Sequence, residues 1–117
     1  MTLPTLYGIP NCDSVRKARS WLAAHQIDYR FVDFKDAPPK ITTLNHWLEA
    51  LGATQLVNRR SATYRQLNQA NKNALEAGDV AAILAAHPTL IKRPVLDWDG
   101  AVSVGFSADG YARRFGL

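Results

Sequence analysis

The chain has 117 residues, with 14 Lys and Arg against 10 Asp and Glu and a net charge of +4. Its 47% hydrophobic and 21% charged residues are the composition of one small globular domain and exclude a disordered or fibrous chain. No apolar run approaches the roughly 18 residues of a membrane span, and Met1-Thr-Leu-Pro-Thr is no secretory leader, so neither membrane insertion nor export is expected.

Leu3 to Ile9 reads as a first strand, and Pro10-Asn11 as the turn that ends it. Asp13 to His25 follows as a helix, with Val15, Ala18 and Leu22 on one face and Asp13 in its first turn. Ile27 to Phe34 alternates and carries β-branched and aromatic residues, which predicts a second strand. Strand, helix and strand with short joints make a right-handed parallel βαβ unit.

Asp36-Ala-Pro-Pro-Lys breaks the pattern. A helix is expected over Leu44 to Leu51, capped by Thr42 or Thr43 and closed by Gly52. Leu56-Val57 reads as a short apolar step. Two short helices then cover Tyr64 to Asn71 and Asn73 to Ala77. Asp79 is the expected cap of a helix from Val80 to His87, stopped by Pro88. Val95 to Trp98 and Ala101 to Gly105 form a hairpin around Asp99-Gly100. Ser107 caps a last helix running to Phe115, kept brief by Gly110. The order predicts an α/β, thioredoxin-like fold: a small mixed four-stranded sheet with flanking helices. It is read as a single domain, with its core at about 1–35 and 79–117 and a helical insert at about 36–78.

The basic residues are scattered as Arg16-Lys17-Ala18-Arg19, Arg59-Arg60, Lys92-Arg93 and Arg113-Arg114, with no basic stripe interleaved with aromatics. Nucleic acid is therefore not an expected partner, and neither is a membrane. Nine of the 14 cations are arginine, a bias that suits carboxylate and oxyanion recognition.

Cys12 is the single cysteine, so no intrachain disulfide forms, and the reducing cytoplasm is the expected compartment. It stands where the first strand meets the first helix, between polar Asn11 and Asp13. Free amides at a helix start favour a thiolate there, and Arg16 one turn on adds positive charge. Asn11, Asp13, Ser14 and Arg16 are accordingly the candidate supporting residues. Val15 stands where a C-x-x-C pair would put its second sulfur, so a redox cycle must borrow a thiol from outside. His25, His46 and His87 lack metal-ligand spacing, and no metal or bound cofactor is expected. Arg93 and Pro94, at the start of the third strand, are expected beside the start of the first helix, where Arg93 faces the sulfur. Arg59 and Arg60 are further candidates for anion binding.

Tyr7-Gly-Ile-Pro-Asn-Cys-Asp-Ser-Val-Arg-Lys-Ala-Arg, Asn58-Arg-Arg-Ser, Leu90-Ile-Lys-Arg-Pro-Val and Val104-Gly-Phe together resemble the arsenate reductase (ArsC)-like family, close to its Spx and YffB branch. The resemblance spans nearly the whole chain. It implies a catalytic Cys12, a cis Arg93–Pro94 bond, and glutathione as co-substrate of a thiol–disulfide reductase. Arg59, Arg60, Arg93 and Pro94 would form the anion and glutathione site. Glutaredoxin, an oxidised protein or a small oxidised molecule would be the other partner. Two alternatives come with it: a redox-sensing or partner-binding adaptor of the Spx type without turnover, and a weak arsenate reductase. Of the three arginines that surround the oxyanion in glutaredoxin-linked arsenate reductases, the middle one matches Arg93, the first falls on Asn58 and the third on Gly105.

Overall fold

The structure is a computed structural model and describes residues 3–117. Met1 and Thr2, the first residues of the segment read for a leader, lie outside the described residues. The chain order is β1 (Thr5–Gly8), α1 (Asp13–Ala24), β2 (Arg30–Asp33), α2 (Ile41–Leu51), α3 (Ala53–Leu56), α4 (Ala62–Gln66), α5 (Gln69–Glu76) and α6 (Val80–Ala86). A 3-10 turn at Pro88–Leu90 precedes β3 (Val95–Trp98), β4 (Ala101–Val104) and α7 (Ala108–Arg114). The sheet order is β2-β1-β3-β4. β1 runs parallel to β2 and antiparallel to β3, and β3 pairs antiparallel with β4. This is the expected thioredoxin-like arrangement of a mixed four-stranded sheet with flanking helices.

Contacts divide the chain into two compact units, residues 3–33 with 93–117, and residues 34–92. The first holds the sheet, α1 and α7. Leu6 and Leu96 are register partners on neighbouring strands and so present the same sheet face. They are buried there with Ala18 and Leu22 of α1 and Tyr111 of α7. The period of α1 explains its place: Val15, Ala18 and Leu22 are fully buried while Arg16, Lys17 and Ser20 are exposed. The Tyr111 hydroxyl is buried without a hydrogen-bond partner, and burial pushes its pKa well above that of an ordinary phenol despite the opposing charge of Arg114.

Gly8 sets how closely α1 lies on β1. A Cβ at this position would stand 2.6 Å from Val15 Cγ2, well inside contact distance. Asp99 and Gly100 turn the hairpin with φ of 53° and 77°, the left-handed pair such a turn requires. From α7, one Arg114 nitrogen (Nη2) donates to the carbonyls of Trp98 and Ala101, 2.6 Å each, and so ties the last helix to both strands beside that turn.

The second unit is helical. Leu44 and Trp47 of α2, Leu75 of α5, and Val80 and Leu84 of α6 are buried, and α2 and α5 both pack on α6. The amides of Asn58 and Lys92 donate to Leu90 and Leu56 carbonyls at 2.8 Å each, around the Val57–Ile91 bridge. The unit spans 34–92, wider than the 36–78 read as an insert, because α6 packs on α2 and α5.

Several local expectations are corrected. α2 begins at Ile41, so Thr42 and Thr43 lie inside it and neither caps it. Leu56 ends a helical turn instead of forming an apolar step. The helix read over Tyr64 to Asn71 is interrupted at Leu67-Asn68, because Asn68 caps α5 by accepting from the Asn71 amide. Asp79 occupies the cap position of α6 without a side-chain cap bond. β2 covers only four of the eight residues expected. Gly110 lies inside α7, where a Cβ would come within 2.7 Å of the Ser107 Oγ that caps the helix; it serves the cap and does not shorten the helix.

Two variants test this packing. Gly8→Ala should cost about 1–3 kcal/mol through overpacking. Adding Val15→Ala should recover part of that loss, so that the pair costs less than the sum of the single changes by at least about 0.5 kcal/mol. Urea midpoints at constant slope measure both. Arg114→Met, which keeps the apolar stem, should cost about 1–2 kcal/mol, since one of its two carbonyl bonds is solvent-exposed; an unchanged midpoint would show that the clasp is idle.

Candidate functional site

Cys12 occupies the N-cap position of α1, with extended backbone at φ −92° and ψ 131°. Its own amide donates to the Ile9 carbonyl at 3.3 Å, and its carbonyl accepts from the Arg16 amide at 2.9 Å. The residue is thus fixed on both sides by the turn after β1 and the first turn of α1. The thiol is half-buried.

That position decides the sulfur's electrostatics. Burial is the largest single influence and opposes ionisation. It is outweighed by the Val15 amide, by the Arg93 guanidinium as both donor and nearby charge, and by the Ser14 amide. The net effect lowers the thiol's pKa below its ordinary value. Cys12 makes no side-chain cap hydrogen bond, so the two amides act on the sulfur as dipoles.

Arg93 comes from the far end of the sequence. The antiparallel register opposes Val95 to Tyr7, which carries residues 93 and 94 alongside the end of β1, where the chain turns toward Cys12. The Arg93–Pro94 peptide bond is cis, as the family resemblance implies. Pro94 is buried, and its carbonyl accepts from the Gly105 amide at 2.9 Å. Gly105 has a φ of 78°, so the position matching the third arginine of the arsenate reductases is shaped for glycine.

The structure therefore brings together Cys12, Ser14 and Arg93 out of the residues singled out in the sequence, with Pro94 following Arg93 in the chain. Arg16 turns to Asp13, at 3.9 Å, and Lys17 reaches the same carboxylate at 3.3 Å. Asp13 and Arg16 thus offset one another, and neither is among the groups that shift the thiol. Asn11 is exposed in the turn before the cysteine. Of the amides at this helix start, that of Cys12 is taken by the Ile9 carbonyl, and those of Val15 and Ser14 act on the sulfur. The capping rule held the missing signal: a residue at N-cap faces the amides two and three positions on, which here are Ser14 and Val15.

Arg59 and Arg60 belong to the second unit. Arg59 pairs with Glu76 at 3.6 Å. The Arg60 amide donates to Asn58 Oδ1 at 3.1 Å, and its carbonyl accepts from Arg65 at 3.3 Å. Among the described residues no group of three or more His, Cys, Asp or Glu could hold a metal ion. No helix there is long and apolar enough to cross a membrane.

Comparison with known proteins identifies the family. The ArsC family profile matches residues 7–114. An uncharacterised protein of Haemophilus influenzae is 40% identical over 111 residues, covering 95% of this chain and 97% of its own. The global transcriptional regulator Spx of Bacillus subtilis is 31% identical over 113 residues, covering 95% and 85%. The solved structure of a YffB protein superposes with a TM-score of 0.89 at 38% identity, covering 94% of this chain and 96% of that one. A profile match over most of the length, relatives above 30% identity and the shared fold have one meaning: the chain belongs to the ArsC family.

Proposed function

We propose that this protein is a glutathione-dependent thiol–disulfide reductase with Cys12 as its only nucleophile. One observation carries the reading: a half-buried thiol whose ionisation is favoured by two helix-start amides and a guanidinium. The Cys12 thiolate attacks a disulfide and forms a new S–S bond. The other sulfur leaves as a thiolate and takes a proton from water. Where the new partner is glutathione, a second glutathione thiolate attacks the glutathionyl sulfur. Oxidised glutathione departs, and Cys12 returns as the thiolate. Arg93 acts twice: it holds the negative sulfur, and in the mixed disulfide it is placed to take a carboxylate of the attached tripeptide.

The lone sulfur fits this cycle in another way. A thiol of low pKa is a good leaving group, so the mixed disulfide releases Cys12 readily to an external thiol. An arsenate reductase is less well supported, since Gly105 offers no guanidinium fork where those enzymes carry one. The similarity to the Spx regulators supports a second reading, in which the domain docks on a protein partner and Cys12 senses oxidation.

Alkylation by iodoacetamide across pH tests the thiol. The rate should follow the thiolate, rising with pH to a midpoint below the ordinary value of about 8.5 and falling away as pH drops through it. Arg93→Met should move that midpoint upward; a wild-type midpoint at or above the ordinary value would remove the reductase reading. Incubation with oxidised glutathione separates the two functions. Rapid formation of a Cys12 adduct, cleared by reduced glutathione, is the expected result, together with loss of glutathione-coupled disulfide reduction in Cys12→Ser. An adduct that forms but resists reduced glutathione would favour the sensor.

A further inference from the structure

We infer that the first unit carries, at the end of the sheet away from Cys12, a binding site for a small organic cation with an apolar body. β1 runs toward Cys12; its other end, at Thr5, is preceded by Leu3 and Pro4. There the chain before β2, the hairpin turn and the end of α7 surround a cavity of about 300 Å³. The walls are Leu3, Pro4, Ile27, Trp98 and Phe115, and the polar groups at the mouth are the exposed carboxylates of Asp28 and Asp99. The volume is at the lower end of small-molecule sites. Leu3 is 45% exposed, one of three large hydrophobic residues so exposed among the described residues, and it lines this cavity.

Charge selects the occupant. Neither Asp28 nor Asp99 forms an ion pair among the described residues. Arg114 keeps its charge while one nitrogen bonds the Trp98 and Ala101 carbonyls, and it is not part of the cavity lining. The lining therefore carries two carboxylates and no cationic side chain, on a molecule of net charge +4, which opposes an anion and favours a cation. The aromatic wall agrees. Trp98 and Phe115 stack at 4.9 Å and 27°, and the Arg114 guanidinium lies 5.9 Å from the Trp98 ring centroid. An ammonium group at the carboxylates, with its hydrocarbon against Ile27, Trp98 and Phe115, satisfies both surfaces. A neutral ligand of the same shape satisfies only one. None of these residues belongs to the thiol site, so the inference stands apart from the reductase reading.

The probe is the 2-phenylethylammonium ion, and 2-phenylethanol is its neutral counterpart. Binding is followed by amide chemical-shift mapping of the whole chain. Saturable shifts are expected at residues 27, 28, 98, 99 and 115, with the ammonium at least about fivefold tighter than the alcohol. Asp28→Asn with Asp99→Asn should bring the two ligands within about twofold. Asparagine tolerates the left-handed backbone at position 99, so the hairpin turn survives the change. Cys12→Ser should leave the binding untouched. The inference fails if the ammonium does not saturate, if the shifts map elsewhere, if the alcohol binds as tightly, or if the preference persists in the double variant.

Discussion

The approach of the Ser14 and Val15 amides and the Arg93 guanidinium to one sulfur is the constraint on which the chemistry depends. It is assembled by packing. Gly8 lets Val15 sit hard against β1, and that contact fixes where α1 begins. The turn from Ile9 to Cys12 then aims the cap residue along the helix axis. Antiparallel pairing of β3 on β1 delivers Arg93 to the same end of the sheet. Burial works against ionisation, and the cluster of donors reverses its sign.

Lowering a thiol's pKa enlarges its thiolate fraction at neutral pH but reduces the intrinsic nucleophilicity of the thiolate, and the two effects largely cancel. Attack is barely faster. Departure of the sulfur from a mixed disulfide gains much more. In the proposed cycle, which ends with an outside thiol displacing Cys12, that gain is the one that counts.

Much of the fold was legible because its signals are local. The period of α1, the Asp99-Gly100 turn and the Ser107 cap each follow from a few adjacent residues, and each stands where those residues put it. The second unit was harder. Its helices are short, and their breaks depend on which polar side chain wins a given amide, as Asn68 does at the start of α5. Thr42 and Thr43 lost to a helix that starts earlier at Ile41. At the site, Cys12 and Arg93 could be named from the sequence and the family it resembles. The neutralisation of Arg16 by Asp13 could not, because local charge alone does not say which partner a flexible side chain takes.

The first unit is built from two stretches of chain separated by the whole of the second. Cys12 lies in the first stretch and Arg93 in the last. On a ribosome, the cysteine leaves the exit tunnel long before its guanidinium partner is translated. Until the β3–β4 hairpin docks beside β1, the sulfur has only the helix-start amides to draw on and lacks the guanidinium. The order of synthesis thus withholds one of the groups that favour the thiolate until β3 has been made.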